Sequence, residues 1–210
     1  VLLTPGTVIF EKEEPLYDMD SEEIKELLPE AMGWYHPFRD ILKELYEVSD
    51  NTNTAHDALH SLRVLLLASF LGVHEKLDYE GMNALCFAAV YHDIGRGDDT
   101  ANSSHGKESE KIYEEKEARN KIASTLIRAH CLDDDKAKIL IRKRFRDKDR
   151  ENVWKLLCIL KDADALDRLR FGMNMIREGE SSGLDVRFLR TPFALKLVPY
   201  ANQSVDYLTL

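Results

Sequence analysis

Three short stretches of the sequence carry side chains able to hold a metal ion. The first is His56-Asp57-Ala58-Leu59-His60-Ser61-Leu62-Arg63-Val64. His56 and His60 are four residues apart and so share a helix face, with Arg63 beside His60. The second, Val90-Tyr91-His92-Asp93-Ile94-Gly95-Arg96, ends an apolar run in an imidazole and a carboxylate. The third, Leu160-Lys161-Asp162-Ala163-Asp164-Ala165-Leu166-Asp167-Arg168, sets three acids inside a helical pattern that otherwise reads as core. An unpaired carboxylate costs several kcal/mol to bury, or it neutralises. A divalent cation removes that cost, since neutral imidazoles and carboxylates together offer mixed nitrogen and oxygen ligands and cancel its charge. Adjacent helix residues point about 100° apart, so His92 and Asp93 converge only on an ion close to the backbone. A helix end followed by Gly95 permits that approach.

The ordered set His60, then His92-Asp93, then Asp164 resembles the HD-domain superfamily of metal-dependent phosphohydrolases. The surrounding residues resemble it too: His60-Ser61-Leu62-Arg63-Val64 the first histidine helix, Ala88 to Arg96 the apolar helix with its HD pair and glycine, and Ala163-Asp164-Ala165-Leu166-Asp167 the late acidic segment. Three motifs in order, each on its expected helix, are far more specific than a lone His-Asp pair. The resemblance covers roughly residues 54–171. It implies a metal held by His60, His92, Asp93 and Asp164, and a water activated to attack phosphorus. A spare oxygen of Asp93 or Asp164 would orient that water. Such ligands admit manganese, iron, cobalt, nickel, zinc or magnesium.

His105 and His130 resemble the extra histidines of members with larger sites. Two roles stand open for them: a second metal bridged by Asp93, or contact with substrate phosphate and protonation of the leaving oxygen. Arg96, Lys107 and Arg63 are candidate phosphate contacts. Arg96 and Gly97 stand where guanosine tetraphosphate hydrolases of the superfamily carry an acidic pair, which argues against that substrate. The Gly-Tyr-Pro signature of cyclic dinucleotide phosphodiesterases is also missing. The expected activity is therefore cleavage of a phosphate ester in a small, nucleotide-like metabolite. The runner-up is a phosphodiesterase acting on a cyclic or signalling nucleotide through two metals. The reading from another class is a binding module that keeps a metal and catalyses little.

The elements that must position these residues read as helices throughout. An Asp20/Glu23 capping box opens a helix ending at Gly33, and Pro37 opens another to about residue 48. Helices follow at 54–71, closed by Gly72, and at 78–93, where Ala84, Leu85, Cys86, Phe87, Ala88, Ala89 and Val90 leave no polar face and predict a central, buried helix. Others are expected at 105–118, 120–131, 134–145 and 151–170. Residues 189–210 read as a mixed tail interrupted by two prolines. Successive helices without strand alternation predict an all-α, HD-domain-like bundle. We expect an N-terminal segment (1–53) packed on a metal-binding core (54–171), and a C-terminal extension (172–210).

The chain has 210 residues and a net charge of −9, which opposes non-specific binding to nucleic acid. The basic run from Lys138 through Arg142, Lys143, Arg144, Arg146 and Lys148 to Arg150 reads first as a solvated face. Cys86, Cys131 and Cys158 lack paired spacing, which argues against disulfides and a cysteine-based zinc site. Cys86 and Cys158 are expected in the core. A cytoplasmic, reducing compartment is expected, with no membrane association, since the longest apolar run, 64–73, is about half a membrane span. A homodimer is compatible with the sequence. The first residue, Val1, suggests trimming from something longer.

Simpler roles are assigned to the remaining candidates. His36 and His74 are expected to be structural, and His56 to support the site or face substrate. Asp162 is expected to be exposed. Asp167 is expected to cap the helix or pair with Arg63 or Arg168. Arg187 and Arg190 are expected in surface ion pairs.

Overall fold

The computed structural model describes residues 22–47, 58–97, 104–171 and 183–209. Among them lie eight α-helices and no extended strand: α1 (Glu22–Glu47), α2 (Ala58–His74), α3 (Tyr79–Tyr91), α4 (His105–Lys116), α5 (Lys121–Ala129), α6 (Asp134–Arg144), α7 (Asp147–Asp167) and α8 (Pro192–Thr209). Short 3-10 turns occur at Arg168–Phe171 and Val186–Phe188. The all-α expectation holds.

Two helices have almost no solvent face. In α3, the residues from Ala84 to Tyr91 are buried apart from a partly covered Phe87, as its apolar second half demands. Helix α2 is buried even more completely and packs against α1, α3, α7 and α8. Gly72 does not end α2. A Cβ there would meet Met82 Sδ at 2.4 Å and Leu85 Cδ2 at 3.0 Å, so the glycine lets α3 lie close against α2.

Helix α1 is one helix where the sequence suggests two. Pro37 cannot donate to the carbonyl four residues back, which belongs to Gly33. Both residues are exposed, so water can solvate that carbonyl. The buried stripe Met32, Tyr35, Phe38, Leu42, Leu45 and Tyr46 continues across the break and packs on α2 and α3. Helix α8 repeats the device. Pro192 stands at its first residue, where proline is favourable. Pro199 falls inside it, four residues after Leu195, which is 51% exposed. Phe193, Ala194, Leu197 and Ala201 are buried, and the Phe193 ring stacks on His74 at 3.6 Å. The last segment is therefore more regular than its composition suggests.

Asp162 is fully buried, contrary to expectation. Its carboxylate accepts from Arg190 N at 2.8 Å, Thr191 N at 2.7 Å and Thr191 Oγ1 at 2.8 Å. It thus ties the segment leading into α8 to the middle of α7. Arg190 is also claimed by Asp134, at 3.0 Å. Replacing Asp162 with Ala leaves these donors without an acceptor and should cost about 2 kcal/mol. Urea unfolding should show this as a lower midpoint with native helicity retained in water. An unchanged midpoint would remove Asp162 from that role.

Candidate metal centre

The centre forms where α3, α5 and α7 end and α2 and α4 begin. His92 is the C-cap of α3, His130 is the C-cap of α5, and Asp164 lies in the last turn of α7. His60 lies in the first turn of α2, and His105 opens α4. Three helix C-termini thus point their negative ends at one place, which favours a cation.

The expected ligands converge. His60 Nε2 lies 3.0 Å from His92 Nε2, 3.6 Å from Asp93 Oδ2 and 3.5 Å from Asp164 Oδ1, and His92 Nε2 lies 3.7 Å from Asp93 Oδ2. A cation held about 2.1 Å from each donor has neighbouring donors about 3.0–3.4 Å apart, so His60, His92 and Asp93, whose ligand atoms lie within 4.8 Å of one another, fit such an ion with little adjustment, and Asp164 stands beside them, 3.5 Å from His60. His60, His92 and Asp93 are buried, whereas the Asp164 side chain is 34% exposed. The centre therefore opens to solvent on the Asp164 side.

The other oxygen of Asp93 faces a second group. Asp93 Oδ1 lies 3.2 Å from both His105 Nε2 and His130 Nε2, and those nitrogens are 3.0 Å apart. The two donor sets share Asp93 and no other residue. Cys131 joins the second set: one ligand atom each from His105, His130 and Cys131 lie within 4.8 Å of one another. Sequence reasoning passed over Cys131, for its spacing matches no cysteine motif. Its adjacency to His130 was the available signal.

Partners behind the rings fix their orientation. His60 Nδ1 donates to Asp167 Oδ2 at 2.6 Å, His92 Nδ1 to Ala89 O at 2.8 Å and His130 Nδ1 to Ile127 O at 2.7 Å. Carbonyl and carboxylate oxygens only accept, so each Nδ1 carries the hydrogen and each Nε2 is turned inward as the ligand atom. Asp167 is fully buried and also accepts from Arg63 and Arg170. Arg63 is thereby spent on Asp167 and is not available to phosphate, which corrects that expectation. The predicted pairing of Asp167 with Arg63 is present.

Two glycines set the close approaches. A Cβ on Gly95 would meet Ser109 N at 2.4 Å, and Gly95 N donates to Ser109 Oγ at 2.9 Å. Gly95 thus serves the packing of the His-Asp turn on α4. A Cβ on Gly106 would meet Arg128 O and Cys131 Sγ, each at 2.8 Å, so this glycine lets His105 reach His130.

The electrostatics follow from burial and from Asp93. Burial pushes the His92 imidazole down to about 4, with Asp93 opposing it only in part. Burial also works against charge on His60, but Asp167, Asp93 and Asp164 raise it to about 9. His105 is raised against burial to about 10, chiefly by Asp93. Cys131 is held down to about 7 against burial by His105 and His130. Asp93, though buried, stays well below the usual carboxylate range because His92, His105, His130 and His60 surround it. His60 can therefore donate from Nε2 to neutral His92 at 3.0 Å, placing a proton between two of the candidate ligand atoms.

The other candidates are distributed as follows. Arg96 Nη1 lies 3.7 Å from Asp93 Oδ2 and faces the centre. Lys107 is exposed on the first turn of α4. Arg187 pairs with Asp185 at the surface. His56 lies outside the described residues. Cys86 is buried, but Cys158 is only partly so. No helix among the described residues is long and apolar enough to cross a membrane.

Comparison with curated proteins found no match, and neither did comparison with solved structures. The family model of the HD domain matches residues 58–169, more than half of the chain, and that span holds every residue of the centre. The chain belongs to the HD-domain family.

Proposed function

We propose that this protein is a metal-dependent phosphohydrolase that cleaves a phosphate ester bond in a small, nucleotide-like metabolite. The observation that carries the reading is the meeting of His60, His92 and Asp93 around one point, with Asp164 3.5 Å from His60 on the open side. In this reading these four hold a divalent cation, which supplies a lowered pKa for water and polarises a phosphoryl oxygen. Asp164, on the solvent side, orients the attacking water. Arg96 offers a guanidinium to the phosphate, where charge builds in the transition state. The buried walls behind Asp93 keep bulk water from the donors.

His105 and His130 have two uses, and the geometry favours the first. The near-equilateral arrangement of their Nε2 atoms with Asp93 Oδ1 supports a second cation bridged by Asp93, with the Cys131 thiol close by. In the other use, protonated His105 gives its proton to the leaving oxygen. A phosphodiesterase acting on a cyclic or signalling nucleotide would use the dinuclear form. The non-catalytic module is the reading that a reconstitution experiment separates. Metal added back to stripped protein should restore turnover of some ester in a panel of phosphomonoesters and phosphodiesters. A rise in melting temperature with no turnover would mean a binding module.

Asp93→Ala removes the carboxylate shared by both donor sets. The variant should lose metal by elemental analysis and lose turnover by about a thousandfold or more, while its helical signal persists. Retention of most activity would exclude this centre.

Metal binding should also release protons. His60 and His105, raised to about 9 and about 10, are charged at neutral pH and must become neutral to bind. Affinity should therefore rise with pH up to that range. Calorimetry in buffers of different ionisation enthalpy should find about one proton released per ion. Metal uptake without proton release would show that these imidazoles are not ligands.

A further inference from the structure

The same three helices that end at the metal centre begin at a second site of opposite character. A groove of about 1080 Å³ is bounded by Glu80 at the start of α3, by Arg119 to Ile122 at the start of α5, and by Lys143 to Val153 at the α6–α7 turn. It lies about 14 Å from the metal centre along α5 and about 25 Å along α7, at 1.5 Å per residue. Seven basic residues line it: Arg119 and Lys121 on one wall, and Lys143, Arg144, Arg146, Lys148 and Arg150 on the other. Two acids, Glu80 and Asp149, line it with them, and Asp147, Glu110 and Glu114 pair with Arg150, Arg144 and Arg119 from outside the lining. In a chain of net charge −9, this concentration of positive charge is local. Five of the seven residues of the run expected to be a solvated face line this concavity, and Lys143, Arg146 and Lys148 among them are exposed.

The cations divide into two kinds. Some build the walls: Arg144 donates to Glu110 and Thr125, Lys121 sits over the Phe145 ring at 4.8 Å, and Arg150 donates to Phe145 O at 2.9 Å, to Arg142 O at 3.0 Å and to Asp147. Lys143, Arg146 and Lys148 are exposed, and their side chains make no ion pair or hydrogen bond among the described residues. The helix ends add to the field. Asp78 caps α3 and Asn120 caps α5, but the N-cap of α7 is Arg146, which gives its helix no side-chain acceptor. That helix start carries Asp147 and Asp149 in its first turn, which offset part of its positive end, and Asp149 N donates to Arg146 O at 3.0 Å.

We infer that this groove is a binding site for a compact polyphosphate, free or carried on a nucleoside. Several phosphates in a row match several cations spread along one groove, and the volume suits a nucleotide-sized ligand. The chain's overall negative charge disfavours a long nucleic-acid backbone, which would extend past the basic patch. No histidine or cysteine lines the groove, so its ligand is held and not hydrolysed there. Its distance from the metal centre makes it a separate site, whatever the fate of the catalytic reading.

Tripolyphosphate and adenosine triphosphate can be titrated into metal-free protein at low salt by calorimetry. Both should bind if the phosphate chain is what is recognised. Preference for the nucleotide would mark Phe145 or its neighbours as a base contact. The Arg146→Glu/Lys148→Glu double variant changes only exposed side chains. It should weaken binding at least tenfold while metal uptake and helicity are kept, and added salt should weaken the unaltered protein's binding too. Undetectable binding, equal affinity in the double variant, or tighter binding of a single-stranded oligonucleotide than of either probe would overturn the inference.

Discussion

One buried carboxylate organises this protein. Asp93 is 2% exposed and would be untenable there alone. Four imidazoles surround it, His60 and His92 toward one oxygen, His105 and His130 toward the other. Each arrives from a different helix, apart from His92, which shares its turn with Asp93. The bundle can bury Asp93 only if α2, α3, α4 and α5 all end or begin at the same point. The close approaches at Gly95 and Gly106 serve that requirement.

The helix directions are as important as the side chains. Helices α3, α5 and α7 run the same way between two ends of the bundle. Their C-termini meet at the acids and histidines, and their N-termini meet at the basic groove. The backbone thus supplies negative potential where a cation would be held and positive potential where the unpaired lysines and arginine lie. A second tier of charges stiffens the first end: Asp167, held by Arg63 and Arg170, orients His60. Removing one member of such a buried set costs more than the pair contributes, because the other members stay charged and dry.

The candidate metal ligands stood out because charge inside an apolar helix demands an explanation. His92-Asp93 after an apolar run, and Asp164 within one, could be read without coordinates. His105 and His130 were legible only through their resemblance to extra histidines in related sites, since each stands on an ordinary amphipathic helix. Cys131 was missed because its role depends on α4 packing across α5. Asp162 was misread as exposed because its partners, the backbone of Arg190 and Thr191, are nearly thirty residues away. The breaks expected at Gly33 and Gly72 failed for a shared reason. Local propensity weighs about 1 kcal/mol per residue for glycine, and a continuous buried stripe outweighs it. For Pro37 and Pro199, the stripe prevails where the orphaned carbonyl faces water.

Anomalous diffraction from crystals equilibrated with Mn²⁺ addresses the role of Asp93 most directly. The expected map has a peak among His60, His92, Asp93 and Asp164, and a second about 3.5–4 Å away beside His105 and His130, on the other oxygen of the same carboxylate. Ions bound only elsewhere, with Asp93 still hydrogen-bonded to protonated histidines, would contradict it.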